Sequence, residues 1–228
     1  MTVYIALDTE TTGLDTNRCE VIDLAAVVLD PVTLMPRGDA DSIFNKKFHP
    51  QNLADIEPGV LGVKNHYNTE IWTMEAVSQA EGWAMFCDWL FKVGNNGLNR
   101  VTPVGHNIIK FDQPVIEKWY KHFAFKPNLG YIPEDTMYQY IMACQMLGEK
   151  EVGKFGLAKV ASEWGITFDT NQAHGAFYDA LVAGCCYGIG RAYMEAMVDC
   201  GRHPHKTLVD EAWRRVGLRP NLQPLPVR

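Results

Sequence analysis

Val3-Tyr4-Ile5-Ala6-Leu7-Asp8-Thr9-Glu10-Thr11-Thr12-Gly13-Leu14 is an apolar run that ends by presenting two carboxylates one residue apart. Side chains alternate between the faces of a strand, so Asp8 and Glu10 point the same way while Leu7 turns toward the core. Two anions on one face repel unless a cation lies between them. A solvated strand end is the alternative reading. Against it, the run before Asp8 is apolar on both faces, as in a buried central strand, and a Thr-Thr-Gly turn follows. This context suits a divalent metal site, since hard cations such as Mg²⁺ take carboxylate oxygens.

The chain around this stretch has 228 residues, enough for one large domain with a sizeable core. Its 47% hydrophobic and 21% charged content is that of an ordinary globular protein. No apolar run approaches the ~18 residues of a membrane-spanning helix, and no signal-peptide core precedes the first strand, so the expected location is cytoplasmic. Six cysteines (Cys19, Cys87, Cys144, Cys185, Cys186 and Cys200) show no paired spacing and read as reduced, mostly buried thiols. A net charge of −6 argues against a protein that coats duplex DNA. It is compatible with a nucleic-acid enzyme, because bound metal ions reverse the sign of a carboxylate cluster locally.

In chain order, residues 20–30 are β-branched and stop at Pro31, and residues 42–48 alternate and stop at His49-Pro50; these are a second and a third strand in an antiparallel meander. Residues 51–69 form a long loop with one helical turn, containing His66 and Tyr67. Apolar residues recurring at steps of three and four predict one amphipathic helix over 72–93, its aromatics mainly core. Residues 101–104 are a fourth strand and 111–123 a helix with Asp112 and Pro114 in its first turn. Tyr131-Ile132 leads a fifth strand to Asp135 or Thr136, either of which can cap a helix over 137–147. A helix over 155–164, a polar loop from 168 to 180 flowing into a long helix that reaches about 198, and a helix over 208–216 complete the chain, with a Pro-rich tail (Pro220, Pro224, Pro226). His203-Pro204-His205 reads as an exposed turn. The domain expectation is one unit over 1–200, followed by a short helix and tail over 201–228.

Acids therefore stand at the ends of three separate elements: Asp8 with Glu10, Asp112, and Asp179 with His174 five residues earlier. Each alone has a structural explanation; Asp112, for example, is favoured in a first helical turn by the dipole. In this order they resemble the DEDD superfamily of 3′-to-5′ exonucleases, the group that includes the proofreading subunit of bacterial DNA polymerase, ribonuclease T and oligoribonuclease. The first motif is similar to Asp8-Thr9-Glu10-Thr11-Thr12-Gly13-Leu14 and the second to Gly105-His106-Asn107-Ile108-Ile109-Lys110-Phe111-Asp112. The third is similar to His174-Gly175-Ala176-Phe177-Tyr178-Asp179-Ala180, and Asp135-Thr136 fits the family's usual pair before its next helix. A histidine five positions before the last aspartate marks the DEDDh branch. His174 holds that place, and Tyr178 then reads as a packing residue. The resemblance spans residues 4–196 and implies an α/β, ribonuclease H-like fold: a mixed five-stranded sheet with helices on both faces.

The resemblance also implies a chemistry. Phosphodiester hydrolysis needs an attacking hydroxide and charge stabilisation on the transition state and the leaving 3′-oxygen. Two divalent ions, Mg²⁺ or Mn²⁺, about 3.5 to 4 Å apart supply these when four carboxylates hold them. Asp8, Glu10, Asp112 and Asp179 provide that number, with Asp8 the expected bridging ligand and His174 the expected general base. By the same resemblance, backbone groups around Thr9, Thr11 and Thr12 hold the terminal nucleotide, Leu14 wedges against its base, and Asn107 and Phe111 line the pocket. His66 stands where family members contact the scissile end, although the following loop departs from the family's Gly-Ile-Thr text. The expected partner is a single-stranded DNA or RNA 3′ end, with a polymerase or a second copy of the chain as protein partner and no membrane. The alternatives are a non-catalytic module that binds nucleic-acid ends or a polymerase on the same fold, and an endonuclease on a related sheet, which needs no His174 at this offset.

Overall fold

β1, Thr2–Thr11, is the central member of a five-stranded sheet ordered β3-β2-β1-β4-β5. The structure, a computed structural model, describes residues 2–61, 67–130, 132–148, 155–200 and 204–217. β2 (Val21–Val28) pairs antiparallel with β1, and β3 (Ile43–Lys47) antiparallel with β2. On the other side β4 (Arg100–Gly105) and β5 (Glu134–Asp135) add in parallel. The mixed sheet with an antiparallel opening is the one expected. Every residue of β2 is buried, which requires cover on both faces.

That cover comes from α1 (Pro58–Leu61), α2 (Thr69–Glu75), α3 (Gln79–Val93), α4 (Asp112–His122), α5 (Thr136–Met146), α6 (Leu157–Glu163), α7 (Ala176–Cys200) and α8 (His205–Arg215). On one face Ile5 and Leu7 of β1 pack with Trp83, Phe86 and Leu90 of α3 and Val115, Ile116 and Trp119 of α4. On the other, Ala6 meets Tyr187 of α7. Gly184 lets α7 come this close: a Cβ there would lie 2.9 Å from that of Ala6. Around the rest of α7, Tyr140, Trp164, Tyr193 and Trp213 share a second core supplied by α5, α6 and α8.

Several details differ from the sequence reading. The helix expected over 72–93 is two, α2 and α3, broken at residues 76–78. Ser78 starts α3 with a capping box, its side chain accepting from Glu81 N while the Glu81 carboxylate accepts from Ser78 N. The break frees Val77 to bridge Phe48 in parallel, extending the pairing of the sheet beyond β3. α8 begins at His205, earlier than expected, and this histidine is not an exposed turn residue: its ring bonds to Tyr193 Oη (3.0 Å) and Glu163 O (3.1 Å). β5 is Glu134–Asp135, while Tyr131, His66, His203 and the tail with Pro220, Pro224 and Pro226 lie outside the described residues. Trp72, Trp83 and Trp119 are core residues. Cys19, Cys144, Cys185 and Cys186 are buried free thiols, as expected, and Cys87 is a half-buried one.

Candidate active site

The site forms at the carboxyl ends of the parallel strands, the usual place for ligands in open α/β sheets. β4 stays paired with β1 only as far as Ala6 opposite Val104, so the later N–H groups of β1 on that side are open. Asp112, at the start of α4, fills this gap: its Oδ1 accepts from Thr9 N at 2.9 Å and from Thr9 Oγ1 at 2.7 Å. The loop leading to it is held by Asp135, which accepts from Asn107 N (3.1 Å) and Ile109 N (3.3 Å) and also caps α5 at Met137 N (2.9 Å). Asp135 is thus the cap that the sequence left open between it and Thr136. Asn107, at φ 62°, makes the turn in the left-handed region that asparagine tolerates.

Thr9 faces α4, so the alternation of β1 turns Asp8 and Glu10 toward α7. There Asp179, in the first turn of α7, comes to meet them. Its Oδ2 accepts from His174 N at 3.1 Å, while its Oδ1 is buried without a hydrogen-bond partner among the described residues. Glu10, His174 and Asp179 each offer a ligand atom within 4.8 Å of the others. His174 is exposed at φ 63°, a strained position for a side chain with a Cβ. Behind it, Tyr178 packs on Phe168 and its hydroxyl accepts from Asp169 N, which anchors the loop carrying His174.

Electrostatics confirm that the acids form one group. Burial, then Asp112, Glu10, Asp179 and Asp23, hold the Asp8 carboxyl well above the usual range. Burial and then Asp179, Asp23 and Asp112 push Glu10 up to about 9. Burial lifts Asp112 and Asp179 to about 6 each, with Thr9 and His174 respectively pulling the other way. A cation placed among carboxyls raised in this manner would favour their ionised form and displace their protons. The donor set, all oxygen apart from one imidazole, fits a hard divalent cation.

The turn after Glu10 is rigid. Thr11 Oγ1 donates to Gly13 O at 2.7 Å, Thr12 Oγ1 accepts from Glu20 N at 2.9 Å, and Glu57 closes the turn by donating N–H to Thr12 O and accepting from Leu14 N. The hydroxyls of Thr11 and Thr12 are thus engaged within the turn, and that of Thr9 serves Asp112. Leu14, at 80% exposure, projects freely from the turn. Phe111 stands half-buried just before Asp112. Sequence reading missed Glu57 and Lys118, whose ammonium donates to Thr16 O (3.0 Å) and Cys19 O and pins the loop after the turn. It also missed Asp23, a buried acid opposite Glu10.

A sequence model of the exonuclease family, RNase_T, matches residues 5–184, most of the chain and every residue just described around the acids. The chain belongs to the exonuclease family. Within it, this exonuclease is 27% identical over 181 residues to ribonuclease T of Yersinia pseudotuberculosis, and equally to that of Yersinia pestis, covering 78% of this chain and 79% of the relative. Its fold matches that of exonuclease I with a TM-score of 0.64 at 14% identity, covering 92% of this chain. Escherichia coli exonuclease I bound to a dT13 oligonucleotide gives 0.65 at 16% identity over 88% of this chain. The exonuclease spans 43% of the length of either of these chains. The family match and the likeness to ribonuclease T, with the five-stranded, ribonuclease H-like sheet, make it a 3′-to-5′ exonuclease of the DEDDh kind, a hydrolase of a divalent-metal-dependent family. No helix among the described residues is long and apolar enough to cross a membrane.

Proposed function

We propose that this exonuclease removes nucleoside 5′-monophosphates from the 3′ ends of single-stranded nucleic acid, using two divalent ions and His174 as general base. The observation that carries the reading is the convergence of Asp8, Glu10, Asp112 and Asp179 from three elements, with His174 beside Glu10 and Asp179. Two ions held by these carboxylates would supply a nucleophile at neutral pH and neutralise charge on the reacting phosphate. Asp8, whose carboxyl feels Asp112, Glu10 and Asp179, would be the shared ligand, and these three would complete the hold on the ions. His174 takes the proton of the attacking water, exposed on a loop of small residues and held in place by the bond from its backbone N–H to Asp179.

The rigid turn of residues 11–14 seats the terminal nucleotide through backbone groups, with Leu14 against the base and Asn107 and Phe111 beside it. The relatives named ribonuclease T favour RNA, and the exonuclease I complexes favour single-stranded DNA. A single-stranded 3′ end, of DNA or RNA, is the class of substrate proposed here. The protein is assigned to the cytoplasm. The test uses matched single-stranded DNA, single-stranded RNA and duplex oligonucleotides with Mg²⁺ or Mn²⁺, comparing parent with Asp8→Asn and His174→Ala. Loss of each carboxylate or base contribution should lower the rate by at least about 10². Variants that cut as fast as the parent would refute the assignment.

A further inference from the structure

Asp23 interrupts the apolar run Val21-Ile22-Asp23-Leu24 in the middle of the folded sheet. It lies directly opposite Glu10 in the β1–β2 register, so both carboxylates share the α7 side. Lys47 is its partner on the other flank, opposite it in the β2–β3 register. Glu10, Asp23 and Lys47 therefore form one row across three strands, each about 4.8 Å from the next. Asp23 is only 4% exposed. Its Oδ2 is 3.8 Å from Lys47 Nζ, an ion pair too long for a hydrogen bond, and its Oδ1 has no hydrogen-bond partner among the described residues. Lys47 is itself drawn outward, 3.9 Å from Glu75 Oε2 and 5.0 Å from the Trp72 ring centre.

A carboxylate this deep with an unmatched oxygen is costly, and a second carboxylate next to it adds to the cost. Of the like charges that raise Glu10, Asp23 comes after Asp179 and ahead of Asp112. In its effect on Glu10, Asp23 is therefore as much a part of the acid cluster as the motif residues are. Because Lys47 is about twice as far from Glu10 as Asp23 is, the pair presents its negative end to the site.

We propose that Asp23 is a positioning residue for the cation held at Glu10. It adds negative field on the β2 side and offers Oδ1 as an acceptor to the hydration shell of that ion, while Lys47 fixes it from behind. This rests on the metal-binding reading of the acid cluster given above. A purely structural role, tying β2 to β3 and α2 through Lys47, makes a different prediction.

The two separate in a measurement on the full chain without nucleic acid: titration with Mn²⁺ followed by loss of the free-ion electron paramagnetic resonance signal. Outer partners of metal ligands are worth roughly 10–100-fold in affinity, so Asp23→Asn should raise the dissociation constant about tenfold and Lys47→Met should leave it within about twofold. In nuclease assays Asp23→Asn should need about tenfold more Mn²⁺ for half-maximal rate, yet approach the parental rate at saturation. Melting in chelator establishes that each variant is folded, and Asp23→Ser, smaller and neutral, replaces the asparagine variant if that one is not. Equal Mn²⁺ affinity in parent and Asp23 variant, or equal weakening by the Asp23 and Lys47 substitutions, overturns the proposal while leaving the acid cluster intact as a metal site. Failure of the parent to bind Mn²⁺ overturns both.

Discussion

Replacing Asp179 by asparagine should make the metal-free protein more stable while destroying its activity. The side chain keeps its shape, and the amide oxygen still accepts from His174 N, but one anion leaves the cluster. Burial raises Asp179 from its ordinary 3.8 to about 6. A group raised in this way stabilises the fold fully below its unfolded value, near 4, and that contribution is lost as pH rises through about 6. The difference corresponds to about 3 kcal/mol, at about 1.4 kcal/mol for each tenfold in proton affinity. The bond from His174 N already lowers the parent's value, so this is the gain expected at pH 8. For a chain of this size each kcal/mol moves the melting temperature by about 2–4 °C. Thermal denaturation in chelator, followed by circular dichroism, should therefore show Asp179→Asn melting about 6–12 °C above the parent at pH 8 and level with it at pH 4. Relief of Glu10, on which Asp179 is the foremost like charge, acts in the same direction. An asparagine variant no more stable than the parent at pH 8, or a gain independent of pH, would refute the picture of mutually repelling acids awaiting cations.

Thr9→Val removes the 2.7 Å hydroxyl bond to Asp112 and keeps the backbone one, so the Asp112 carboxyl should rise above its present value of about 6. The acid limb of the pH–rate profile should then move to higher pH by roughly half a unit to one unit, and an unchanged profile would count against Asp112 as a required anion. Ser78→Ala removes the capping box of α3, which none of the motif acids joins, and should cost about 1 kcal/mol of stability with no change in rate, read by melting temperature alongside the nuclease assay.

What the sequence made legible followed its periodicities. β1 and β2 read correctly because their apolar residues sit on both faces, and the motif acids were legible because each ends a strand or opens a helix. Asp135, offered as one of two possible caps, also proved to organise the loop before Asp112, a long-range role that spacing cannot express. The break between α2 and α3 went unread because Ala76 and Ala80 continue the helical spacing across it; the Ser78 and Glu81 pair was the available signal. The side-chain roles of the first-motif threonines, holding the turn and Asp112, went unread, since a buried hydroxyl takes the nearest backbone or carboxylate partner. Asp23 was visible as an acid inside an apolar strand, yet only the register of β1 with β2 sets it beside Glu10.

The central claim is that four carboxylates and His174 hydrolyse a nucleic-acid chain stepwise from its 3′ end. A single-stranded oligonucleotide labelled at its 5′ end, incubated with the purified protein and Mg²⁺ or Mn²⁺, tests it most directly. The account predicts a descending ladder shortened one residue at a time, nucleoside 5′-monophosphates as the released product, no reaction in chelator and none on a closed single-stranded circle. Internal cuts in the circle, or turnover that persists without divalent ions, would contradict it.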